Sequence, residues 1–239
     1  MPQTKKIQTM LKVKIYTIFP EIFPGFLGYS LTGKALENGK WSLESINIRD
    51  YAFDKHGSVD DTPCGGGAGM VMRPDVLGNA IKQNHTGGRL IYMSPRGKPL
   101  TQSLVRELAS EDEISIICGR FEGIDERVLD AFDIEEISIG DYILTGGEQA
   151  AQIMLDSVIR LLPGVLGNSE STSDESFENI LLEHPQYTRP TEWEGRTVPD
   201  VLLSGHHQNI ARWRHEQALE VTKQRRPDLL QKYLDSKKI

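Results

Sequence analysis

Charged side chains set between glycines recur along this chain, and they are the residues from which a binding or catalytic site could be built. In residues 138–148 (SIGDYILTGGE), four residues of strand propensity, Tyr142, Ile143, Leu144 and Thr145, stand between Gly140 and the pair Gly146-Gly147. Glycine at a strand end gives the core nothing and costs backbone entropy. It marks a tight turn or a place where the backbone closely approaches something else. In residues 118–128 (CGRFEGIDERV), Gly119 and Gly123 bracket Arg120, Phe121 and Glu122, directly after an apolar strand pattern and before a helix. That is where open α/β sheets hold ligands, although a plain strand-to-helix turn has the same look. In residues 64–72 (CGGGAGMVM), Gly65, Gly66 and Gly67 follow the acids Asp60 and Asp61. Such a loop lets backbone amides come up to a planar or anionic ligand, and the acids make it a polar recognition loop; a solvated surface loop is the alternative.

Two nucleotide-binding patterns are excluded. Residues 28–35 (GYSLTGKA) nearly spell a phosphate-binding loop. Ala35 stands where a hydroxyl would hold magnesium, and no strand pattern leads into it, so a turn beside a helix is the better reading. The glycines from Gly65 onward are no dinucleotide fingerprint, because Met70 occupies the third glycine position.

The elements that must position these residues follow from periodicity. Strand patterns at VKIYTIF (13–19), SLESINI (42–48), RLIYM (89–93), ISIIC (114–118) and IEEISI (134–139) alternate with helical ones such as LTQSLVRELAS. Alternation of that kind predicts an α/β domain with a largely parallel sheet. The clearest helix is GGEQAAQIMLDSVIRLLPG, stopped by Pro163-Gly164. Residues 167–176 (GNSESTSDES) carry no apolar side chain and read as a flexible linker. Beyond it, SGHHQNIARWRHEQALEVTKQ reads as a helix, and Pro227 opens another. The expected organisation is a polar, disordered extension at 1–9, an α/β domain at 10–164, a linker at 165–178 and a small helical domain at 179–239.

At 239 residues, 38% of them apolar and 26% charged, the chain suits a soluble globular protein. Cys64 and Cys118 are too few for a disulfide framework and lack metal-ligand spacing, which points to a reducing cytosol and to no metal site. Lys12 and Lys14 interrupt the one apolar stretch near the start, so neither a signal peptide nor a membrane span is expected. The net charge of −7 argues against nucleic acid, but its distribution does not. Residues 111–180 hold 17 acidic side chains against 3 basic, and residues 189–239 hold 10 basic against 7 acidic. An acidic middle thus hides a mildly basic tail.

Taken in order, PCGGGAGM, YMSPRG, CGRFEGIDERV, SIGDYILTGGE, DSVIRLLPGVLG, EHPQYTRP and VLLSGHH resemble the bacterial tRNA (guanine-N1)-methyltransferase family, the TrmD family of the SPOUT superfamily. The resemblance runs from Met10 to about Tyr233. It implies a deep trefoil knot that grips S-adenosylmethionine, a helical C-terminal domain that holds the tRNA anticodon stem-loop, and a homodimer with shared active sites. The implied cofactor contacts are Tyr92, Met93, Ser94 and Pro95; Gly119, Phe121, Glu122 and Gly123; and Ser138, Ile139, Gly140, Tyr142, Leu144, Gly146 and Gly147. Adenine is flat with polar edges, and the glycines would let backbone groups read it. The implied reaction methylates guanine N1 at position 37 of tRNAs with guanine at position 36. Arg160 would meet charge developing on the base, or is simply a cation at a helix C-terminus. Asp60, with Gly65, Gly66 and Gly67, would read the neighbouring guanine, unless the two acids are only a solvated turn. Arg189, Arg212 and Arg214 would meet phosphates, while Trp213 reads as core. The family is linked to magnesium, but no ligand cluster is legible here. Two departures stand out. Arg96 replaces the family's usual glutamine, and Asp174-Glu175 exchanges the order of two linker acids. Counting from Arg160 puts Glu175 at the position of the general base, with Asp174 its competitor.

Overall fold

The computed structural model of the protein describes residues 10–167 and 175–237. The chain divides between Gly167 and Asn168 into two compact units. The first is built on a sheet of five strands, β1 (Leu11–Thr17), β2 (Trp41–Asn47), β5 (Arg89–Pro99), β6 (Glu113–Ile117) and β7 (Glu135–Ser138), in the order β2-β1-β6-β5-β7. Every pairing is parallel. Two short antiparallel strands, β3 (Asp60–Asp61) and β4 (Val71–Met72), stand apart from it. Among the described residues five α-helices pack with it: α1 (Ser30–Glu37), α2 (Pro74–Asn84), α3 (Gln102–Ala109), α4 (Glu126–Phe132) and α5 (Glu148–Ile159).

Side chains alternate across a strand, and the core accordingly falls into two clusters. Val13, Ile15, Ile91, Ile114 and Ile116 pack with Leu108 of α3 and Met154, Leu155 and Val158 of α5. Tyr16, Tyr92 and Ile117 pack with Val76, Leu77 and Ile81 of α2 and Val128 and Leu129 of α4. Strands buried on both faces read as near-continuous apolar runs, which is why these were legible. Thr101 caps α3 and Asp125 caps α4, each side chain accepting a hydrogen bond from the first turn. Residues 28–35 run from a short 3-10 turn into α1 with no strand before them.

The expected strand at residues 142–145 does not form. β7 ends at Ser138, and irregular backbone leads to α5. Gly140 takes φ of +148°, a conformation that side chains avoid, and the Tyr142 N–H donates to the Gly140 carbonyl at 2.9 Å. Its one neighbour, β5, ends at Pro99 opposite Ser138, so a continuation of β7 has no ladder to join. Strand propensity without a partner strand does not decide the conformation.

The second unit is mainly helical, with a hairpin of β8 (Glu192–Trp193) and β9 (Arg196–Thr197), then α6 (Asp200–Leu203), α7 (His207–Arg225) and α8 (Pro227–Ser236). Of the expected linker, residues 168–174 lie outside the described residues. Residues 175–182 form a turn in which the Phe177 N–H donates to the Leu181 carbonyl, and the Leu182 N–H donates to Thr222 Oγ1 of α7 at 2.9 Å. No helix among the described residues is long and apolar enough to cross a membrane.

Candidate functional site

A cavity of about 260 Å³ opens at the C-terminal ends of β6 and β7, beside the middle of β5. Open α/β sheets bind ligands at that edge. Its lining comprises residues 92–95, 119–123, 137–140, 142–147 and Ala150. The structure thus brings together, from three distant segments, every residue expected to touch a cofactor. Arg120, Ile137, Ile143, Thr145 and Ala150 also line the cavity and were missed. Arg120, Ile143 and Thr145 sit inside the glycine-bracketed motifs, where continuity could have found them. Ile137 and Ala150 carry no signal apart from packing. Arg96 lies outside the lining and turns to Glu126 at 3.0 Å and Glu136 at 3.2 Å.

One wall of the cavity is apolar and open, with Ile143 81% and Tyr142 53% exposed. Phe121 holds φ of +60°, costly for a side chain of its size. Burial pushes the Tyr92 phenol up and keeps it neutral. Glu122 is the one carboxylate of the lining and Arg120 the one guanidinium.

Gly146 and Gly147 are required by the protein itself. A Cβ on Gly146 would lie 2.3 Å from Arg120 Nε, and one on Gly147 would lie 2.8 Å from the Cys118 Cα. The expectation that these glycines are bare to admit a ligand is therefore incomplete. Their missing side chains make room for a guanidinium and for neighbouring backbone.

The loop carrying Asp60 is stitched to one side of this cavity. The Glu122 N–H donates to the Met70 carbonyl at 2.9 Å, the Met72 N–H to the Gly123 carbonyl at 2.9 Å and the Asp125 N–H to the Met72 carbonyl at 3.2 Å. Asp60 is half-buried and pairs in register with Met72. Gly65, Gly66 and Gly67 are exposed, with φ of +93°, +82° and +126°.

Arg160 caps the C-terminus of α5, where the helix dipole favours a cation. Glu175 lies on the second unit, in the lining of a smaller cavity that also includes His184, Arg214 and His215. Arg189 and Arg212 are exposed. Trp213 packs edge-on against His184, with ring centres 6.3 Å apart, and against Tyr187 at 6.1 Å, so it is a packing residue of that unit. Asp174 lies outside the described residues. Among the described residues no three His, Cys, Asp or Glu side chains are grouped so as to hold a metal ion.

The family model described as "tRNA (Guanine-1)-methyltransferase TrmD" matches residues 11–232. The chain is 62% identical to the tRNA (guanine-N(1)-)-methyltransferase of Agrobacterium fabrum, over 92% of this chain and 96% of that one. It is 60% identical to that of Bartonella tribocorum, over 93% and 96%. For Ruegeria pomeroyi the identity is 54%, over 99% of both chains. A match that spans both units, and every segment lining the cavity, places this chain in the tRNA (guanine-1)-methyltransferase family.

Proposed function

We propose that this protein transfers a methyl group from S-adenosylmethionine to N1 of guanine 37 in tRNAs that carry guanine at position 36. The carrying observation is that a single cavity, in a chain of this family, collects the glycine-bracketed segments 118–128 and 138–148 together with residues 92–95 at the carboxyl edge of a parallel sheet. The cavity suits the cofactor chemically. Residues 139–147 present backbone beside open apolar side chains, which fits a flat purine with polar edges. Glu122 supplies the counter-charge that a sulfonium or an ammonium needs. The cofactor, when bound, provides the activated methyl carbon. What remains for the protein is alignment and removal of the N1 proton.

Glu175 takes that proton, and Arg160 meets the charge that develops on the base. Arg189, Arg212 and Arg214 meet the phosphates of the anticodon stem-loop. The proposal includes the family's trefoil knot. Its support is the family match over residues 11–232. It also includes a homodimer whose active sites combine both subunits. Phe26, Tyr29, Leu31 and Ile153 are exposed on elements that pack on one another, the kind of apolar surface that a partner covers.

The test is incubation with methyl-labelled S-adenosylmethionine and tRNA transcripts that vary at positions 36 and 37, with and without magnesium. Label should enter transcripts with guanine at both positions, and replacing guanine 37 should abolish it. tRNA binding without transfer would instead indicate an RNA-binding protein that has lost its chemistry.

Asp60→Ala tests recognition separately. Losing a carboxylate that accepts hydrogen bonds from guanine 36 should slow transfer to that substrate by about tenfold to a hundredfold. It should also narrow the gap to substrates with adenine there. Equal slowing on both would make Asp60 a structural or a catalytic residue instead.

A further inference from the structure

Arg120 stands just past the end of β6, and its guanidinium meets three other parts of the first unit. Its Nη2 lies 2.9 Å from Glu148 Oε2, and its Nη1 donates to the Thr145 carbonyl at 3.2 Å. The group lies over the Phe19 ring, 4.6 Å from the centroid. Glu148, the first residue of α5, is wholly buried, and its Oε1 accepts a hydrogen bond from Thr17 Oγ1 at 2.8 Å. A chain of contacts thus runs from the end of β1 through Glu148 and Arg120 to the cavity wall.

That wall has little else to hold it. Asp141, Tyr142, Ile143, Leu144 and Thr145 are all exposed. Among the described residues, two hydrogen bonds tie residues 141–147 to distant parts of the chain: Arg120 Nη1 to the Thr145 carbonyl, and the Gly147 N–H to the Gly119 carbonyl at 3.0 Å. Stability is a poor explanation for the buried pair, because an apolar pair of similar volume fills such space without desolvating two charges. What an apolar pair cannot do is hold the Thr145 carbonyl in one place. The bare Cα of Gly146 fits the same account, since any side chain there would displace the guanidinium.

We propose that Arg120, locked by buried Glu148, is a positioning residue that sets the backbone of residues 144–147 in the geometry that receives the adenosine part of the cofactor. This rests on the reading that the cavity binds S-adenosylmethionine. Arg120 acts through the loop. The loss on substitution therefore falls equally on any ligand that carries the adenosine.

The experiment is calorimetric titration of the full chain with S-adenosylmethionine and with 5′-methylthioadenosine, which lacks the amino-acid carboxylate. Arg120→Lys keeps a cation for Glu148 but cannot fork to Glu148 and the Thr145 carbonyl together. It should raise Kd for both ligands by the same factor, about tenfold or more, as expected for one lost charge-assisted hydrogen bond. In turnover, KM for the cofactor should rise by that factor, while kcat falls less. Glu148→Gln frees the guanidinium while leaving it intact and should show the same parallel loss, so a folding failure in one variant leaves the other to decide. Wild-type affinity for both ligands in a folded variant overturns the proposal. So does a loss confined to S-adenosylmethionine, which would make Arg120 a direct contact of the amino-acid end. A wild-type protein that binds neither ligand overturns the cavity reading itself, and the proposal with it.

Discussion

Glu175→Gln should lower single-turnover methyl transfer, with tRNA and cofactor both saturating, by at least about a hundredfold, the range of a lost general base. Asp174→Asn should leave it near wild type. The two acids are adjacent and share the chemistry the step needs, because glutamate and aspartate titrate within a few tenths of a pH unit of each other. Position separates them. Counting from Arg160 puts Glu175 at the place proposed for the base, and hydrogen bonds fix the turn that carries it. Its carbonyl accepts the Glu178 N–H at 3.2 Å, and the neighbouring Ser176 Oγ accepts the Glu183 N–H at 2.9 Å. Its residue shares a cavity lining with His184, Arg214 and His215. The extra methylene relative to aspartate is absorbed if this turn adjusts when substrate binds. The reverse pattern would give the role to Asp174. Full activity in both variants would mean that neither acid is the base.

Gly146→Val should abolish detectable S-adenosylmethionine binding at concentrations that saturate the wild type, while the sedimentation profile stays that of the unchanged assembly. The cause is a collision 2.3 Å from Arg120 Nε, behind the cavity wall. The guanidinium is driven off Glu148, and the residues it braces lose their position. A buried carboxylate left without its partner typically costs about 3–5 kcal/mol, so the melting temperature should fall as well. Gly146→Ala places the same Cβ with less bulk and should weaken binding by a smaller factor in the same direction. Unchanged affinity in the valine variant would remove residues 144–147 from the ligand site.

The sequence by itself determined the sheet. Val13, Ile15, Ile114 and Ile116 belong to strands buried on both faces, and apolar runs of that length between helical patterns have few other readings. Pro227 opens a helix because a missing N–H costs nothing in a first turn. It also determined the family, since the glycine-bracketed motifs recur in a fixed order over most of the chain. Tertiary structure alone decided what those glycines are for. Gly146 looked bare for a ligand, yet the space beside it is filled by Arg120, a residue 26 positions earlier at the end of another strand. Residues 142–145 had the propensity of a strand but follow the point where β7 and its neighbour β5 both end, with no strand to pair with. Glu148 carries no sequence mark of its burial: a glutamate at a helix start is ordinary, and only the meeting of β1, β6 and α5 encloses it. Local pattern specifies which residues face a core, because burial repeats with the period of the element. Partners far apart in the chain have no period, and packing selects them.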